Sequence, residues 1–351
     1  MKVGLLTSGG DCQGLNAVLR GVAKTLFGCM EDLELYGILD GYRGLIESEW
    51  RRMGPGEFSG ILRQGGTILG TSRQPFKEMQ TLNENNTNKL NIMLSNYKKN
   101  GFDALIIIGG NGTHKTAHLL SQHGANIVTI PKTIDNDVYG TDLTFGFDSA
   151  VEKATYVIDA IHTTAASHGR VFVIELMGHK VGWITLSAGI AGGADVILIP
   201  EIPYDPEVVL KAIETRNSEG KNFSIIAIAE GALTKAEAAL PKKERSNLNL
   251  SPGYRLASVL SDRLEQDVRA IVPGHLQRGG DPTSTDRLLC SRLGAMAGEL
   301  VKKGMFGNMV ALRGTEIVPV PLSEVSGKLK SIPIDSQILR HADYLGISMG
   351  V

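Results

Sequence analysis

The sequence has little cysteine, no long hydrophobic run and no excess of charge, and each shortage excludes a class of protein. Three cysteines among 351 residues (Cys12, Cys29 and Cys290) are too few for a disulfide framework, and their spacing matches no zinc motif. The longest apolar runs, such as residues 104–108, fall far below the roughly 20 residues of a membrane span. The apolar stretch at the N-terminus is too short for a signal peptide. We therefore expect a cytoplasmic protein with reduced thiols and no membrane association.

Charge and composition are those of an ordinary globular protein. The 36 Lys and Arg residues nearly balance the 37 Asp and Glu residues, so no basic surface for general nucleic-acid binding is indicated. A content of 42% hydrophobic and 21% charged residues excludes an intrinsically disordered chain. The length exceeds that of one typical domain and predicts two. Glycine is abundant: it accounts for 42 residues, against an average usage of about 7%, without the Gly-X-Y repeat of collagen.

Short apolar runs bounded by turn residues recur along the chain and predict strands. They span residues 3–6, 35–39, 104–108, 127–130, 171–176, 196–199, 224–229 and 270–272. Because most runs are continuous rather than alternating, they indicate strands buried on both faces of a parallel sheet. Helical patterns lie between them, at about 14–27, 85–99, 114–123, 147–166, 206–217, 254–266 and 285–303. The alternating order predicts an α/β fold, with surface loops at 83–91 and 235–249 and a domain boundary near 140–147.

Glycines are concentrated where predicted strands end and helices begin. Residues 9–16 follow the first strand, and residues 109–113 follow the most apolar run. Glycine lets the backbone approach a ligand, and the free N–H groups at a helix start favour an anion. These loops therefore predict a phosphate site at the carboxyl edge of the sheet. The first loop matches neither the Walker pattern nor Gly-x-Gly-x-x-Gly, and a tight turn without a ligand is the alternative.

Two further segments carry reactive side chains. Asp135 and Asp137 follow the strand at 127–130, where one carboxylate can accept a proton from an attacking hydroxyl and the other can help to hold magnesium. An ordinary turn is the alternative for this segment. His275 and Arg278 share a glycine-bounded loop, and arginine forks around phosphate oxygens, which suits a sugar phosphate.

A histidine pair on a predicted helix could be mistaken for metal ligands. His114 and His118 are four residues apart, but the His-Glu-x-x-His pattern is absent. We therefore predict that this pair lies on a solvated helix face.

Together these segments resemble the 6-phosphofructokinase family. The motifs occur in the family's order at residues 7–17, 131–137, 177–178, 190–193 and 274–280, and the resemblance extends from residue 2 to about 320. Residues 162–168 and 310–315 are similar to the mixed-substrate bacterial branch. The resemblance implies two Rossmann-like α/β/α domains with the active site in the cleft between them. Residues 1–145 plus about 266–315 would bind the phosphoryl donor, and about 146–265 plus 316–351 would bind fructose 6-phosphate.

The same resemblance implies a reaction and its residues. A phosphoryl group would pass from ATP, with Mg²⁺, to O1 of fructose 6-phosphate in glycolysis, with Asp135 as general base assisted by Thr133 and Arg170. The implied nucleotide ligands are Gly10, Arg73, Gly110, Asn111, Gly112 and Thr113. The implied sugar-phosphate ligands are Thr133, Asp135, Arg170, Met177, Gly178, His179, Glu230, Arg269, His275 and Arg278. Arg170 and Arg269 would come from a neighbouring subunit, which implies a homo-oligomer, either a dimer or a tetramer.

Two positions bear on the phosphoryl donor. In the family, pyrophosphate-using members have Asp at the position of Gly112 and Lys at that of Lys132. Gly112 leaves room for the α-phosphate of a nucleotide and Lys132 does not exclude ATP, so we predict ATP, with pyrophosphate as the alternative. The resemblance implies Asn111 and Asp137 as the metal ligands. Asn111 stands where the family usually has Asp or Glu and keeps a carbonyl oxygen without the charge, so either the metal affinity is lower or Asp11 and Asp137 carry more of the site.

The sequence departs from the family's pattern at Asn111 and His179, and it disfavours one other class of enzyme. Asn111 supports a second alternative, a catalytically weak regulatory subunit that binds a nucleotide or a sugar phosphate. His179 stands where many members have Arg. A dinucleotide-dependent dehydrogenase is disfavoured because its glycine spacing is absent.

Overall fold

The computed structural model describes residues 1–82, 86–245 and 247–351, and within these the chain divides into two compact units. The first unit comprises Met1–Ser149 and Arg278–Lys330, and the second comprises Ala150–Gln277 and Ser331–Val351. Each unit has its own sheet and its own hydrophobic core. The predicted α/β class is confirmed.

Strands and helices alternate along most of the described chain. The strands are β1 (Lys2–Thr7), β2 (Glu34–Ile38), β3 (Trp50–Arg52), β4 (Ala104–Gly109), β5 (Ile127–Pro131), β6 (Val171–Leu176), β7 (Val196–Leu198), β8 (Ser224–Ala229), β9 (Val268–Ile271), β10 (Asn308–Arg313) and β11 (Glu316–Pro321). The α-helices are α1 (Leu15–Cys29), α2 (Tyr42–Glu47), α3 (Lys89–Lys99), α4 (Asn111–Gln122), α5 (Phe147–His168), α6 (Trp183–Ala191), α7 (Pro206–Ser218), α8 (Lys235–Ala239), α9 (Lys242–Arg245), α10 (Pro252–Ser261), α11 (Ser284–Lys302), α12 (Leu322–Val325) and α13 (Gln337–Tyr344).

The first unit contains a sheet of strand order β11-β10-β5-β4-β1-β2-β3. Its inner strands are parallel, and the two edge strands β3 and β11 are antiparallel to their neighbours. Nearly every side chain of β1, β4 and β5 is buried, as their continuous apolar runs predicted. Because these three strands are parallel and adjacent, the loops that follow them emerge at one edge of the sheet.

The second unit contains an entirely parallel sheet of order β7-β8-β6-β9. Strand β9 pairs with β6, so it lies in this second sheet although we assigned residues 266–315 to the first domain. Conversely, β11 lies in the first sheet, because a turn at Gly314, with φ of 58°, folds it back onto β10. Strand pairing, and not position along the chain, therefore decides that β9 belongs to the second sheet and β11 to the first.

The predicted elements differ from the observed ones mainly at their ends. All eight predicted strands occur within two residues of their predicted bounds. Helix α3 begins at Lys89 rather than near residue 85, because the Asn88 side chain accepts a hydrogen bond from the Asn91 amide and caps the helix. The connection predicted over 235–249 contains the short helices α8 and α9. Residues 83–85 and 246 of the two predicted loops lie outside the described residues.

Membrane insertion receives no support from the helices. Among the residues that the structure describes, no helix has both the length and the apolar character that a membrane crossing requires.

Helices α1 and α11 of the first unit pack backbone against backbone. A Cβ atom added at Gly294 of α11 would lie 2.7 Å from the Val18 carbonyl oxygen and 2.7 Å from the Val22 amide nitrogen of α1. A Cβ added at Gly21 of α1 would lie 3.0 Å from the Ser291 carbonyl oxygen. Part of the glycine excess therefore serves a helix contact that the sequence analysis did not anticipate.

We expect Gly294→Ala to destabilise the first unit, because its methyl group has to push two helix backbones apart. The cost expected for overpacking is about 1–3 kcal/mol. Gly28→Ala, in the last turn of α1, is the matched control, because no heavy atom lies within 4 Å of its added Cβ. That change should be neutral or stabilising by up to about 1 kcal/mol. Urea unfolding of both variants measures the difference, and equal stabilities would contradict this account of the helix contact.

Candidate functional site

A pocket of about 340 Å³ opens at the carboxyl edge of the first sheet. It is formed by the loops that follow β1, β4 and β5 and by two segments that come beside them. Its lining residues are Ser8, Gly9, Gly10, Arg73, Gln74, Pro75, Gly110, Asn111, Gly112, Thr113, Lys132, Thr133, Asp135 and Arg278. All six predicted nucleotide ligands are among them, together with the predicted general base and both donor-specificity positions.

The loop after β1 lies between two guanidinium groups. Gly9 has φ of 91°, a left-handed conformation that favours glycine. A Cβ added at Gly10 would lie 3.1 Å from Arg278 Nη1 and 3.4 Å from Arg73 Nη2. Arg278 Nη1 also donates a hydrogen bond of 2.8 Å to the Asp11 carbonyl oxygen. Two cations therefore converge on a loop whose backbone is open to a ligand, which is a favourable place for phosphate oxygens.

Lys132 ties the loop after β5 to the loop after β1. Its side chain is buried, and Nζ donates a hydrogen bond to the Gly10 carbonyl oxygen. Its backbone amide donates to the Gly109 carbonyl oxygen at 2.9 Å. Burial lowers the pKa of Lys132 below its ordinary value, and the carboxylates of Asp11 and Asp135 act in the opposite direction.

The loop after β1 also contains Cys12, whose thiol packs against Gly146. The side chain is buried, and a Cβ added at Gly146 would overlap it, at 2.5 Å from Sγ and 2.9 Å from Cβ. Burial raises the pKa of the Cys12 thiol to about 12. The side chain therefore packs as a neutral apolar group within the loop that follows β1.

Helix α4 presents its N-terminus to the pocket. Gly110 is the N-cap, and Asn111, Gly112 and Thr113 form the first turn, where backbone N–H groups are available to an anion. A Cβ added at Gly112 would meet no heavy atom within 4 Å, and Gly112 has no positive φ. The fold therefore does not require glycine at position 112, and the space beside it belongs to the pocket.

Asn111 contacts the carboxylate that was predicted to join it at a metal. Its Nδ2 donates to Asp137 Oδ2 at 2.9 Å and to the Asp137 carbonyl oxygen at 3.0 Å. An aspartate at position 111 would instead place two carboxylates face to face. In the described ranges, no three His, Cys, Asp or Glu side chains converge closely enough to form a metal site of their own.

The segment after β5 fixes the backbone on the N-terminal side of Asp135. The Asp135 amide donates to Thr133 Oγ1 at 3.1 Å, and the Thr133 carbonyl oxygen accepts from Thr144 Oγ1 at 2.7 Å. Asp135 and Thr133 both line the pocket. The Asp135 carboxylate thus follows a turn that is held by hydrogen bonds within the first unit.

The prediction of a solvated face at His114 is wrong. His114 is fully buried, and its Nδ1 lies 3.0 Å from Thr129 Oγ1 of β5. Residues 114, 117 and 120 recur at helical spacing, so His114 shares the inner face of α4 with Ala117 and Leu120. Burial, reinforced by the charge of Lys132, lowers the pKa of His114 to about 3. The imidazole is therefore neutral at physiological pH.

In the second unit, several predicted sugar-phosphate ligands lie at the carboxyl edge of the sheet. Met177 and Gly178 follow β6, Glu230 follows β8, and His275 follows β9. The Gly178 amide donates to Glu230 Oε1 at 3.4 Å, which links two of these strand ends. A pocket of about 660 Å³ at this edge is lined by His179 and Glu230 among others.

Arg170 and Arg269 lie at the opposite, amino edge of the second sheet. Arg170 Nε and Arg269 Nη2 each contact Asp267 Oδ2 at 2.8 Å. Strand β6 separates Arg170 from Met177, a distance of about 23 Å at roughly 3.3 Å per residue. Within one chain, these two arginines are therefore not brought together with Met177, Gly178 and Glu230.

Of the residues that line the first pocket, the sequence analysis missed Gln74 and Pro75, and it included Ser8 and Gly9 only within the segment 7–17 and not among the nucleotide ligands. Each is a chain neighbour of Gly10 or Arg73 or lies next to such a neighbour. Proximity along the chain to those two residues was the signal that could have identified them.

Comparisons with known proteins give a consistent result. The family model described as phosphofructokinase matches residues 2–301. The ATP-dependent 6-phosphofructokinase of Spirochaeta thermophila is 50% identical over 99% of this chain and 97% of that protein. The ATP-dependent 6-phosphofructokinase 3 of Bacteroides thetaiotaomicron is 45% identical over 100% of both chains. Among solved structures, Pichia pastoris phosphofructokinase in the T-state superposes with a TM-score of 0.81 at 30% identity. That match covers 92% of this chain but 35% of the longer Pichia chain.

The burial of neutral His114 predicts a loss of stability in mild acid. The unfolded chain takes up a proton at His114 near pH 6.5, whereas the native state resists protonation until about pH 3. As the pH falls from 6.5, the unfolded state binds more protons and stability decreases, by about 2 kcal/mol at pH 5 from this group. His114→Asn keeps a partner for Thr129 without titrating, so it should lack this component.

Urea unfolding at pH 7.5 and pH 5.0 tests this difference. His118→Asn, four residues along the same helix and only half-buried, is the control and should keep the acid sensitivity of the parent protein. Identical pH dependences for His114→Asn and the parent would show that His114 is not the responsible group.

Proposed function

The chain belongs to the phosphofructokinase family, and we propose that it is an ATP-dependent 6-phosphofructokinase. It transfers the γ-phosphoryl group of ATP to O1 of fructose 6-phosphate and releases fructose 1,6-bisphosphate and ADP, a step of glycolysis. The observation that carries the proposal is the pocket of the first unit. It combines two arginines, a helix N-terminus and a carboxylate, which are groups suited to bind phosphates and accept a proton.

The first unit binds the phosphoryl donor in this proposal. Arg73 and Arg278 neutralise phosphate oxygens on either side of Gly10, and the backbone N–H groups of Gly112 and Thr113 face the same charge. Since phosphoryl transfer asks a protein mainly for positioning and charge stabilisation, these groups supply most of what the donor needs. Gly110 contributes as the helix cap, and Lys132 holds the two loops together.

Asp135 acts as the general base. Its carboxylate accepts the proton of the O1 hydroxyl as that oxygen attacks the γ-phosphorus, and Thr133 orients it through the turn between them. The attack gives the sugar oxygen its new bond to phosphorus while the bond to the bridging oxygen of ADP breaks.

Asn111 and Asp137 are suited to a magnesium ion that is held chiefly by the donor phosphates. Both side chains offer oxygen ligands, and Mg²⁺ typically takes one or two protein carboxylates, several waters and substrate phosphates. The absence of a larger acidic cluster among the described residues fits that mode of binding. When bound, the ion neutralises the charge of the phosphate oxygens. The hydrogen bond from Asn111 keeps Asp137 oriented without adding a second negative charge.

The second unit binds fructose 6-phosphate in this proposal. Met177, Gly178, His179, Glu230 and His275 supply the ligands at the carboxyl edge of its sheet. Arg170 and Arg269 lie at the opposite edge, which supports their serving the site of a neighbouring copy. The active protein is then a homo-oligomer, and Arg170 stabilises phosphate charge across the subunit interface.

One assay tests the function and its alternatives. Purified protein is incubated with fructose 6-phosphate and Mg²⁺, and ATP or pyrophosphate is supplied in separate reactions. We expect fructose 1,6-bisphosphate with ATP. Product with pyrophosphate alone would establish the alternative donor, which Lys132 favours, and product with neither would indicate a regulatory subunit.

Asp135→Asn should lower turnover by on the order of 10²-fold or more, because the amide cannot accept the hydroxyl proton. Binding of fructose 6-phosphate, measured by calorimetry, should persist, since the amide has nearly the shape of the carboxylate. Unchanged turnover in this variant would remove Asp135 as the base.

Gly112→Asp should impair the use of ATP. The new carboxylate enters the open space beside the phosphates, and such like-charge contacts cost several kcal/mol, so kcat/KM for ATP should fall on the order of 10²-fold. Activity with pyrophosphate should fall less, because pyrophosphate has no α-phosphate at that place. Gly112→Ala is the control and should change kcat/KM little. Full ATP activity in Gly112→Asp would refute the role assigned to this glycine.

A further inference from the structure

Asn136, between Asp135 and Asp137, has an unfavourable backbone conformation. Its φ is 52°, in the left-handed region, and its side chain is buried. Asn tolerates this region better than most residues, but the conformation is still less favourable than an ordinary helical one. The two flanking carboxylates point where they do only as long as contacts elsewhere maintain this turn.

One lysine, Lys330, makes most of the contacts that maintain the turn at Asn136. Lys330 Nζ donates to Asn136 Oδ1 at 2.7 Å, to the Thr141 carbonyl oxygen at 3.0 Å and to the Asp142 carbonyl oxygen at 2.8 Å. The Lys330 backbone amide also donates to the Asp137 carbonyl oxygen at 2.9 Å. Lys330 therefore binds the segment at four points on the C-terminal side of Asp135.

The contacts made by Lys330 connect to those already described for the pocket. Asn136 Oδ1 accepts a second hydrogen bond from the Thr144 amide at 3.1 Å, and Thr144 Oγ1 donates to the Thr133 carbonyl oxygen. The Asp137 carbonyl oxygen also accepts from Asn111. One hydrogen-bonded network thus holds Asp135 from both sides, and Lys330 is the member of that network farthest from Asp135 along the chain.

We propose that Lys330 is a positioning residue, which holds Asn136 in its left-handed conformation and thereby aims Asp135 at the pocket and keeps Asp137 against Asn111, which lines the pocket. Lys330 does not line the pocket, so it acts on the reaction through Asn136 and not by touching a substrate. Its position lies beyond residues 2–301 and beyond every motif in the sequence analysis, so neither assigns it a role. The expected loss of kcat rests on the proposed function. The expected loosening of the turn at Asn136 does not.

The first experiment compares Lys330→Met with Lys328→Met. Lys328 is two residues away on the same segment but exposed, with Nζ 4.9 Å from the centre of the Tyr139 ring. Since small misplacements of reacting groups are costly, kcat of Lys330→Met should fall on the order of 10-fold or more. The KM values for both substrates should change by less than about 3-fold, because the binding groups remain. Lys328→Met should keep both parameters.

Hydrogen exchange supplies a readout that needs no activity. Peptides covering residues 133–144 should exchange faster in Lys330→Met than in Lys328→Met, whereas peptides of the second unit should be unchanged. If the parent protein phosphorylates no sugar, the proposed function fails. Unchanged exchange over residues 133–144 would separately overturn the positioning role of Lys330.

Asn136→Gly tests the route by which Lys330 acts and does not depend on the folding of Lys330→Met. Glycine adopts a φ of 52° without steric cost but offers no side-chain acceptor to Lys330 or Thr144. We expect the same loss of kcat at nearly constant KM. The double variant should lie within about 3-fold of the slower single variant, since both changes break one network. Parental kcat in Asn136→Gly, or fully additive losses, would overturn the proposal.

Discussion

The candidate site depends on the parallel pairing of β1, β4 and β5, which brings three loops to one edge of the first sheet. Thr7 pairs with Ile108, and Gly109 pairs with Pro131, so the three strands end almost level with one another. A slip of one residue in either ladder would move a loop by about 3.3 Å. That distance is enough to separate Lys132 from the Gly10 carbonyl oxygen, the hydrogen bond that joins two of the loops. The apolar strands thus determine the positions of polar groups they do not contact.

The abundant glycines serve three unrelated physical needs. Gly9 has a left-handed backbone conformation, Gly294 lets two helices touch through their backbones, and Gly112 leaves empty space in a pocket. The first two are requirements of the fold and would hold for a protein with no ligand at all. Gly112 differs because neither its φ nor its neighbours demand glycine. Such a residue, dispensable for folding yet placed at a helix N-terminus, is stronger evidence for a ligand than a glycine-rich loop is.

The sequence predicted those features whose cause is local. Continuous apolar runs identified eight strands, and glycine turns at their ends identified the loops of the first pocket. The edge strand β11 was missed because only Ile317 and Val320 of it are buried and it contains Pro319 and Pro321, which an edge position tolerates. His114 was misjudged because its polarity received more weight than its helical spacing from Ala117 and Leu120. The amino-edge position of Arg269 and the contacts of Lys330 depend on which strands and segments pair, and no local pattern records that.

The buried Cys12 bears on how the protein tolerates oxidants. Thiols react as thiolates, so a cysteine near the charges of Arg278 and Lys132 would ordinarily be activated and vulnerable to peroxide. Here burial dominates those charges and keeps the group protonated at any physiological pH. The loop after β1 therefore lies between two guanidinium groups without also producing a reactive sulfur. Catalytic capacity at this edge of the sheet should survive oxidative stress that inactivates proteins with exposed active-site thiols.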